Sequence, residues 1–358
     1  MSKPNLKIEQ KRVITWRSPS NIALVKYWGK RSGQIPENPS VSISLSRSFS
    51  ETTIFYSPSG NVRGELKGFR FDGKQEDRFA ERIKTYLSNI EDLFPFLADY
   101  NIHINSRNSF PHSSGIASSA SAFSALALCI TSMERALTGS PSEESSFFTK
   151  ASYAARLGSG SAARSVYPGY VLWGSVPEVP HAANEFAVPV NDMVHDSFKD
   201  MRNAILLVDM SAKSVSSSKG HSLMDSNPWS ATRYDQARRN VVRMLEVLKS
   251  GDTDEFIRLT ESEALTLHAL MMSSENGYLL MKPNTLEIIE KVRNFRLETQ
   301  VPIAFTLDAG PNVHLIYPQS QYEKVREFIV NELSGHCRNG QWIDDYAGTG
   351  PGQVFSGT

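Results

Sequence analysis

Two hydrophobic rhythms alternate along the chain. Residues 12–16 and 22–27 run or alternate apolar as strands do. Val41-Ser42-Ile43-Ser44-Leu45 keeps a strict period of two, which predicts one buried face and one polar face. Residues 51–56 and 65–71 read as two further strands joined by the turn-forming Ser57-Pro58-Ser59-Gly60-Asn61. Across 76–94 the period lengthens, placing Phe79, Ile83, Tyr86, Leu87 and Ile90 on one helical face. A strand at 101–105 precedes a helix that follows the loop 111–122 and continues to about 137; a second helix covers roughly 142–157, and another strand follows at 170–173. The second half opens with a buried-strand run at 204–208 and continues with helical patterns at 234–248, 253–271 and 284–295. Strands at 302–307 and 313–317 then flank Asp308-Ala309-Gly310-Pro311-Asn312, and a helix covers 321–333. Residues 348–352, rich in glycine, form a flexible tail or return to a sheet. Irregular alternation with hairpins predicts an α+β fold over a doubly wound parallel sheet.

The length of 358 residues suits two domains, expected at 1–190 and 191–358, with the proline-bearing stretch 176–189 as the crossing. Acidic and basic residues balance at 38 each, so no global field recruits nucleic acid or an anionic membrane, and any basic site must be local. Cys129 and Cys337 lie far apart without metal-ligand spacing, which points to reduced thiols and a cytoplasmic protein. Charges at Lys3, Lys7, Glu9, Lys11 and Arg12 occupy the place where a signal peptide needs an apolar block. The apolar stretch at 122–130 is too short to span a bilayer.

Four segments could carry chemistry. In Lys26-Tyr27-Trp28-Gly29-Lys30-Arg31, cations crowd around two aromatics at a strand end, which suits the grip of a polyanion; a basic edge that discourages strand pairing is the other reading. The small-residue loop 111–122 runs straight into a helix. Its backbone could cradle a phosphate, or its alanine- and serine-rich face could simply pack on a sheet. It is neither a Walker A loop nor a nucleophile elbow. Gly158-Ser159-Gly160-Ser161 with Arg164 groups hydroxyls, amides and a guanidinium, or else is a glycine cap and turn. Asp308, ending an apolar strand before a glycine turn, is either a positioned base or a turn former. The histidines show no paired ligand spacing, so no histidine-bound metal is expected, and His268 reads as core or surface.

Taken together, residues 21–31, Phe110-Pro111 with Gly115-Ile116-Ala117-Ser118-Ser119-Ala120, residues 158–165 and residues 305–312 resemble the diphosphomevalonate decarboxylase family. That family belongs to the superfamily of galactokinase, homoserine kinase, mevalonate kinase and phosphomevalonate kinase (GHMP kinases). The segments occur in the family's order and span most of the chain. The resemblance implies a two-domain GHMP-kinase-like fold: an N-terminal ribosomal-protein-like α/β sandwich, a C-terminal ferredoxin-like α+β domain, and an active site in the cleft between them. It further implies ATP-dependent decarboxylation of mevalonate 5-diphosphate to isopentenyl diphosphate, with Mg²⁺. A homodimer is expected separately, from the frequency of two-fold assembly. By the same resemblance Asp308 sits by the substrate's C3 hydroxyl, Lys26 beside it, and Arg164 on the carboxylate. Asn21, Tyr27, Lys30, Arg78, Ser159, Gly160, Ser161 and Ser217, with Ser216 nearby, would hold the substrate. Pro111, Ser114, Gly115, Ala117, Ser118 and Ser119 would hold ATP, with Mg²⁺ on the phosphates and Ser118 or Ser119. Related mevalonate or phosphomevalonate kinases and decarboxylases, and a non-catalytic nucleotide-binding relative, share the scaffold. Three departures from the family pattern are Asn38-Pro39-Ser40, with one hydroxyl fewer, the polar Pro111-His112-Ser113-Ser114, and Ser218-Lys219.

Overall fold

The computed structural model describes residues 12–111, 116–139, 143–211, 217–275 and 277–357. The first half supplies β1 (Arg12–Val25), β2 (Ser40–Pro58), β3 (Leu66–Phe71), β4 (Lys74–Gln75), α1 (Asp77–Asn89), β5 (Tyr100–Asn108), α2 (Ser118–Thr138), α3 (Glu144–Gly158), β6 (Tyr170–Trp173) and β7 (Ala187–Pro189). The second supplies β8 (Met201–Leu206), α4 (Ser217–Ser222), α5 (Ser230–Ser250), α6 (Thr253–Met272), α7 (Pro283–Thr299), β9 (Ala304–Thr306), β10 (Val313–Pro318), α8 (Tyr322–Phe328), β11 (Trp342–Tyr346) and β12 (Gly352–Gly357). Among the described residues these strands make two sheets. One has the order β12-β1-β2-β5-β3-β4, with β6 on β2 and β7 on β6; the other has the order β11-β8-β10-β9. The fold is α+β, as the patterning predicts.

Several expected breaks are absent. The stretches at 12–16 and 22–27 are parts of one strand, because Pro19 sits where the β1–β2 register shifts, a position that tolerates a missing N–H. Likewise 41–45 and 51–56 join in β2, which pairs with β1 on both sides of the irregularity. There β2 turns to a carboxylate instead of a strand. Buried Asp345, on β11, accepts the backbone N–H groups of Ser46 at 2.9 Å, Arg47 at 2.7 Å and Ser48 at 2.8 Å, tying the two sheets together. The glycine-rich tail does return, since β12 pairs antiparallel with β1.

The period-two pattern of β2 predicts a polar face opposite the apolar one, and the structure buries that polar face as well. Ser40, Ser42 and Ser44 are fully buried. They lie beneath the 3-10 helix Gly160–Val166, where Ser44 Oγ donates to the Tyr167 carbonyl at 2.6 Å. The serines of α2 are used in the same way. Ser18 Oγ donates to Ser124 Oγ at 2.6 Å, Ser50 and Ser121 hydroxyls lie 2.7 Å apart, and Trp16 Nε1 donates to Ser132 Oγ at 2.8 Å. Small hydroxylic residues let α2 lie close on the sheet while these hydroxyls bond one another or the Trp16 indole.

One apolar cluster unites the halves. Ile22, Leu24 and Val41 of the large sheet pack with Ala237 and Val241 of α5 and with Ile205 and Ile316 of the small sheet. Among the described residues no helix is long and apolar enough to cross a membrane.

Burial holds three histidines neutral, lowering the ring pKa of His221 to about 3 and those of His268 and His314 to about 4. The unfolded chain therefore binds more protons than the folded one between those values and about 6.5, so stability is lost as pH falls through that window. Urea denaturation at pH 7 and pH 5 should show a loss of up to roughly 2 kcal/mol for each histidine. His314→Gln should flatten the dependence; an unaltered slope would remove His314 from this account.

Candidate active site

At the end of β1 the backbone of Lys26 leaves the sheet and both its polar groups are captured by side chains. Its N–H donates to Glu263 Oε2 at 2.8 Å, and its carbonyl accepts from Asn38 Nδ2 at 3.0 Å and Arg233 Nη2 at 3.2 Å. Glu263, on α6, is wholly buried and also pairs with Arg233 of α5 at 2.6 Å and accepts from Asn240 at 2.6 Å. The ammonium this brace positions is itself buried, and it meets Asp308 Oδ1 at 3.0 Å, across a cleft between the halves. Burial lowers the Lys26 pKa, opposed by the attraction of Asp308. His268 Nε2 holds the Asp308 carbonyl at 3.1 Å, so this core histidine fixes the acidic turn.

Arg164 closes a third side. Its Nε donates to Ser42 Oγ at 3.0 Å, Nη1 to Ser40 Oγ at 2.5 Å, and Nη2 to Asn21 Oδ1 at 3.2 Å. Asn21 is oriented in turn by donating Nδ2 to Ser165 Oγ at 2.8 Å. Every partner of the guanidinium here is neutral, and burial pulls its pKa down to about 10. A buried cation with neutral partners gains from a carboxylate delivered by a ligand. The Pro39 departure leaves this network intact, because Pro39 packs against Gly174 while Ser40 and Ser42 supply the hydroxyls.

The cleft brings together Asn21, Lys26, Tyr27, Lys30, Ala117, Ser119, Ser159, Gly160, Ser161, Arg164 and Asp308. Gly160 is required because a Cβ there would come within 2.7 Å of the Tyr27 hydroxyl. That hydroxyl is buried without a partner among the described residues. Gly29, with φ +96°, makes the turn that sends Lys30 back into the cleft while Trp28 packs with Leu267 and Met271. Arg31 faces outward and pairs with Glu37 at 3.6 Å, so the basic run divides between cleft and surface.

Arg78 is exposed and outside the cleft; Arg82, one helical turn further along α1, lines it instead. The same helical face carries Phe79, Ile83 and Tyr86, so the spacing already contained this signal. His221, Gln34, Glu263 and Arg233 were also missed, and no local pattern marks them. Pro111 is exposed and lines neither this cleft nor its neighbour, whereas Ser118 lines only the neighbour. Ser114, Gly115, His112 and Ser216 lie outside the described residues, as does the side chain of Ser217, whose backbone begins α4. Among the charged residues described in the cleft, four cations (Lys26, Lys30, Arg82 and Arg164) face one carboxylate, Asp308.

A second cavity adjoins at Arg82 and Ser119 and is walled by Phe69, Phe71, Phe79 and Phe123, with Asn108 and Ser106 as polar groups. The N-terminus of α2 lies between the two, entered through Ala117 in the left-handed region at φ 40°. No group of three His, Cys, Asp or Glu able to hold a metal occurs among the described residues.

Two family models match: residues 18–181 the diphosphomevalonate decarboxylase-like N-terminal domain, and residues 203–348 the mevalonate 5-diphosphate decarboxylase C-terminal domain. The diphosphomevalonate decarboxylase of Ganoderma lucidum is 30% identical over 334 residues, covering 88% of this chain and 81% of that one. That of Eremothecium gossypii is 31% identical over 327 residues, covering 85% and 77%. Among solved structures, mevalonate diphosphate decarboxylase from Staphylococcus aureus superposes with a TM-score of 0.80 at 26% identity, covering 97% of this chain and 99% of the other. A structure of MDDEF in complex with MVAPP, AMPPCP and magnesium gives 0.79 at 25% identity, covering 97% and 100%. With its site geometry, both halves matched and its length spanned by these relatives, the chain belongs to the diphosphomevalonate decarboxylase family.

Proposed function

We propose that the cleft carries out the family's reaction with the residues described above. The protein is an ATP-dependent decarboxylase that converts mevalonate 5-diphosphate to isopentenyl diphosphate, releasing ADP, phosphate and carbon dioxide. One observation carries the residue assignment: Lys26, Asp308 and Arg164 converge on one cleft with an excess of positive charge. A small polyanion bearing a separate carboxylate satisfies all of it.

In this reading Lys30, Arg82, Tyr27, Ser159 and Ser161 bind the substrate diphosphate, which places the C3 hydroxyl at Asp308 and the carboxylate at Arg164. Asp308 orients that hydroxyl and takes its proton as the γ-phosphoryl arrives. Lys26 neutralises charge that builds on the transferred group, which is where most of the catalysis of such a transfer lies. The C3–O bond to the new phosphate then breaks with its electron pair. The C–C bond to the carboxylate supplies the pair that forms the double bond, and carbon dioxide leaves. Arg164 keeps the carboxylate in the plane this elimination needs.

The aromatic cavity suits the flat base of ATP, and the α2 N-terminus between the cavities suits its phosphates. With no carboxylate cluster described there, Mg²⁺ would be held by the phosphates and by Ser118 or Ser119, and when bound it would offset phosphate charge. The reading includes domains at 1–190 and 191–358, a homodimer, and a cytoplasmic setting that suits the two free, buried thiols.

Incubation with ATP and carboxyl-labelled mevalonate 5-diphosphate should release labelled carbon dioxide in step with ADP. ADP without carbon dioxide would indicate a kinase, and release from the monophosphate alone would indicate a phosphomevalonate decarboxylase. Asp308→Ala should lower kcat/KM by roughly 10³-fold or more with ATP affinity retained. Arg164→Lys should cost at least about 100-fold, since a point charge cannot replace the planar fork. Glu263→Gln leaves Arg233 buried without its counter-charge, and should destabilise the fold by roughly 3–5 kcal/mol. The double change Arg233→Met with Glu263→Leu should recover thermal stability but not turnover, because the Lys26 N–H has lost its acceptor. Recovery of both would show that the brace is structural only.

A further inference from the structure

The histidines have no ligand spacing in the sequence, yet one of them enters the cleft. His221, on α4, lines it beside Lys30. Its ring is held between two aromatics, 4.4 Å from Tyr27 at 39° and 4.6 Å from Trp28 at 33°. The packing depends on Gly220, where a Cβ would sit 2.7 Å from the Trp28 ring. One ring nitrogen is committed: the Gly29 N–H donates to Nδ1 at 3.0 Å. An atom that accepts a backbone proton carries none of its own, so the neutral ring bears its proton on Nε2. Nε2 has no hydrogen-bond partner among the described residues.

From this geometry we infer that His221 is a substrate-binding residue, donating its Nε2–H to the substrate's diphosphate. The inference rests on the proposed reading of the cleft and adds a donor to it. The ring cannot serve as a base, because one nitrogen is occupied and the other already protonated. It supplies instead what the surrounding cations do not: a rigid, neutral donor that binds a phosphate oxygen without adding charge beside Lys30 and Arg82. Its rigidity matters because the turn at Gly29, which directs Lys30 inward, is fixed by the same imidazole. One side chain thus sets both a lysine and a hydrogen-bond donor on one anion.

The two amide side chains separate these roles. His221→Asn presents an oxygen near the position of Nδ1 but has no donor at Nε2, whereas His221→Gln can place its amide nitrogen where Nε2 was. Steady-state kinetics of the full-length protein should show KM for mevalonate 5-diphosphate raised roughly 10-fold or more by His221→Asn. The effect should fall on that KM, not on KM for ATP or on kcat, and His221→Gln should recover most of it. Nitrogen NMR of the ligand-free protein at pH 7 should report a neutral ring protonated on Nε2. An unchanged KM in His221→Asn, equal losses for both substrates, or a proton on Nδ1 would overturn the inference. Absence of carbon dioxide release by the unaltered protein would instead overturn the reading of the cleft, and this inference with it.

Discussion

A lysine buried at the end of a strand, facing an aspartate from a turn nearly three hundred residues later, is the contact on which this architecture turns. Ion pairs at a protein surface contribute little, and buried ones repay their desolvation only with additional support. Here the support is visible. Lys26 is fixed through its backbone by Glu263, Arg233 and Asn38, and its ammonium donates to Asp308. Asp308 is fixed through its own carbonyl by His268. Each member is thus positioned by main-chain contacts that leave its charge available to chemistry.

That arrangement explains why the two sheets meet as they do. α5 and α6 belong to the second half, but their buried pair serves a residue of the first. Asp345 reaches back from β11 in the same direction to complete β2. With the shared apolar cluster between Ile22, Leu24, Ala237 and Val241, these contacts make the relative placement of the halves a condition of having a site at all. The surplus of cations around the cleft is the cost of that design, relieved when a polyanion enters.

Much of this was legible from residue types alone. Lys26, Lys30, Arg164 and Asp308 stand in short, unusual strings, and chemistry compressed into a few adjacent residues survives in one dimension. Element types were legible where the period was long and clean, as in α5, α6 and α7. What failed was continuity. The strands expected at 12–16 and 22–27 are one, because a register shift accommodates Pro19 between them. The burial of the β2 serines was not legible, because period two cannot tell water from a buried arginine. Arg78 was the α1 arginine the resemblance implied, although the apolar face of α1 points to Arg82. Glu263 and His221 had no local signal, since the contacts that give them a role, with the N–H groups of Lys26 and Gly29, cross more than a hundred residues.

The central claim is geometric, so the most direct measurement is a crystal structure with mevalonate 5-diphosphate and a non-hydrolysable ATP analogue bound together. The account predicts the substrate's C3 hydroxyl within hydrogen-bonding distance of Asp308, its carboxylate on the Arg164 guanidinium, and the Lys26 ammonium between Asp308 and the γ-phosphate. A ligand pair seated with its carboxylate away from Arg164, or with Asp308 out of reach of the C3 hydroxyl, would contradict it.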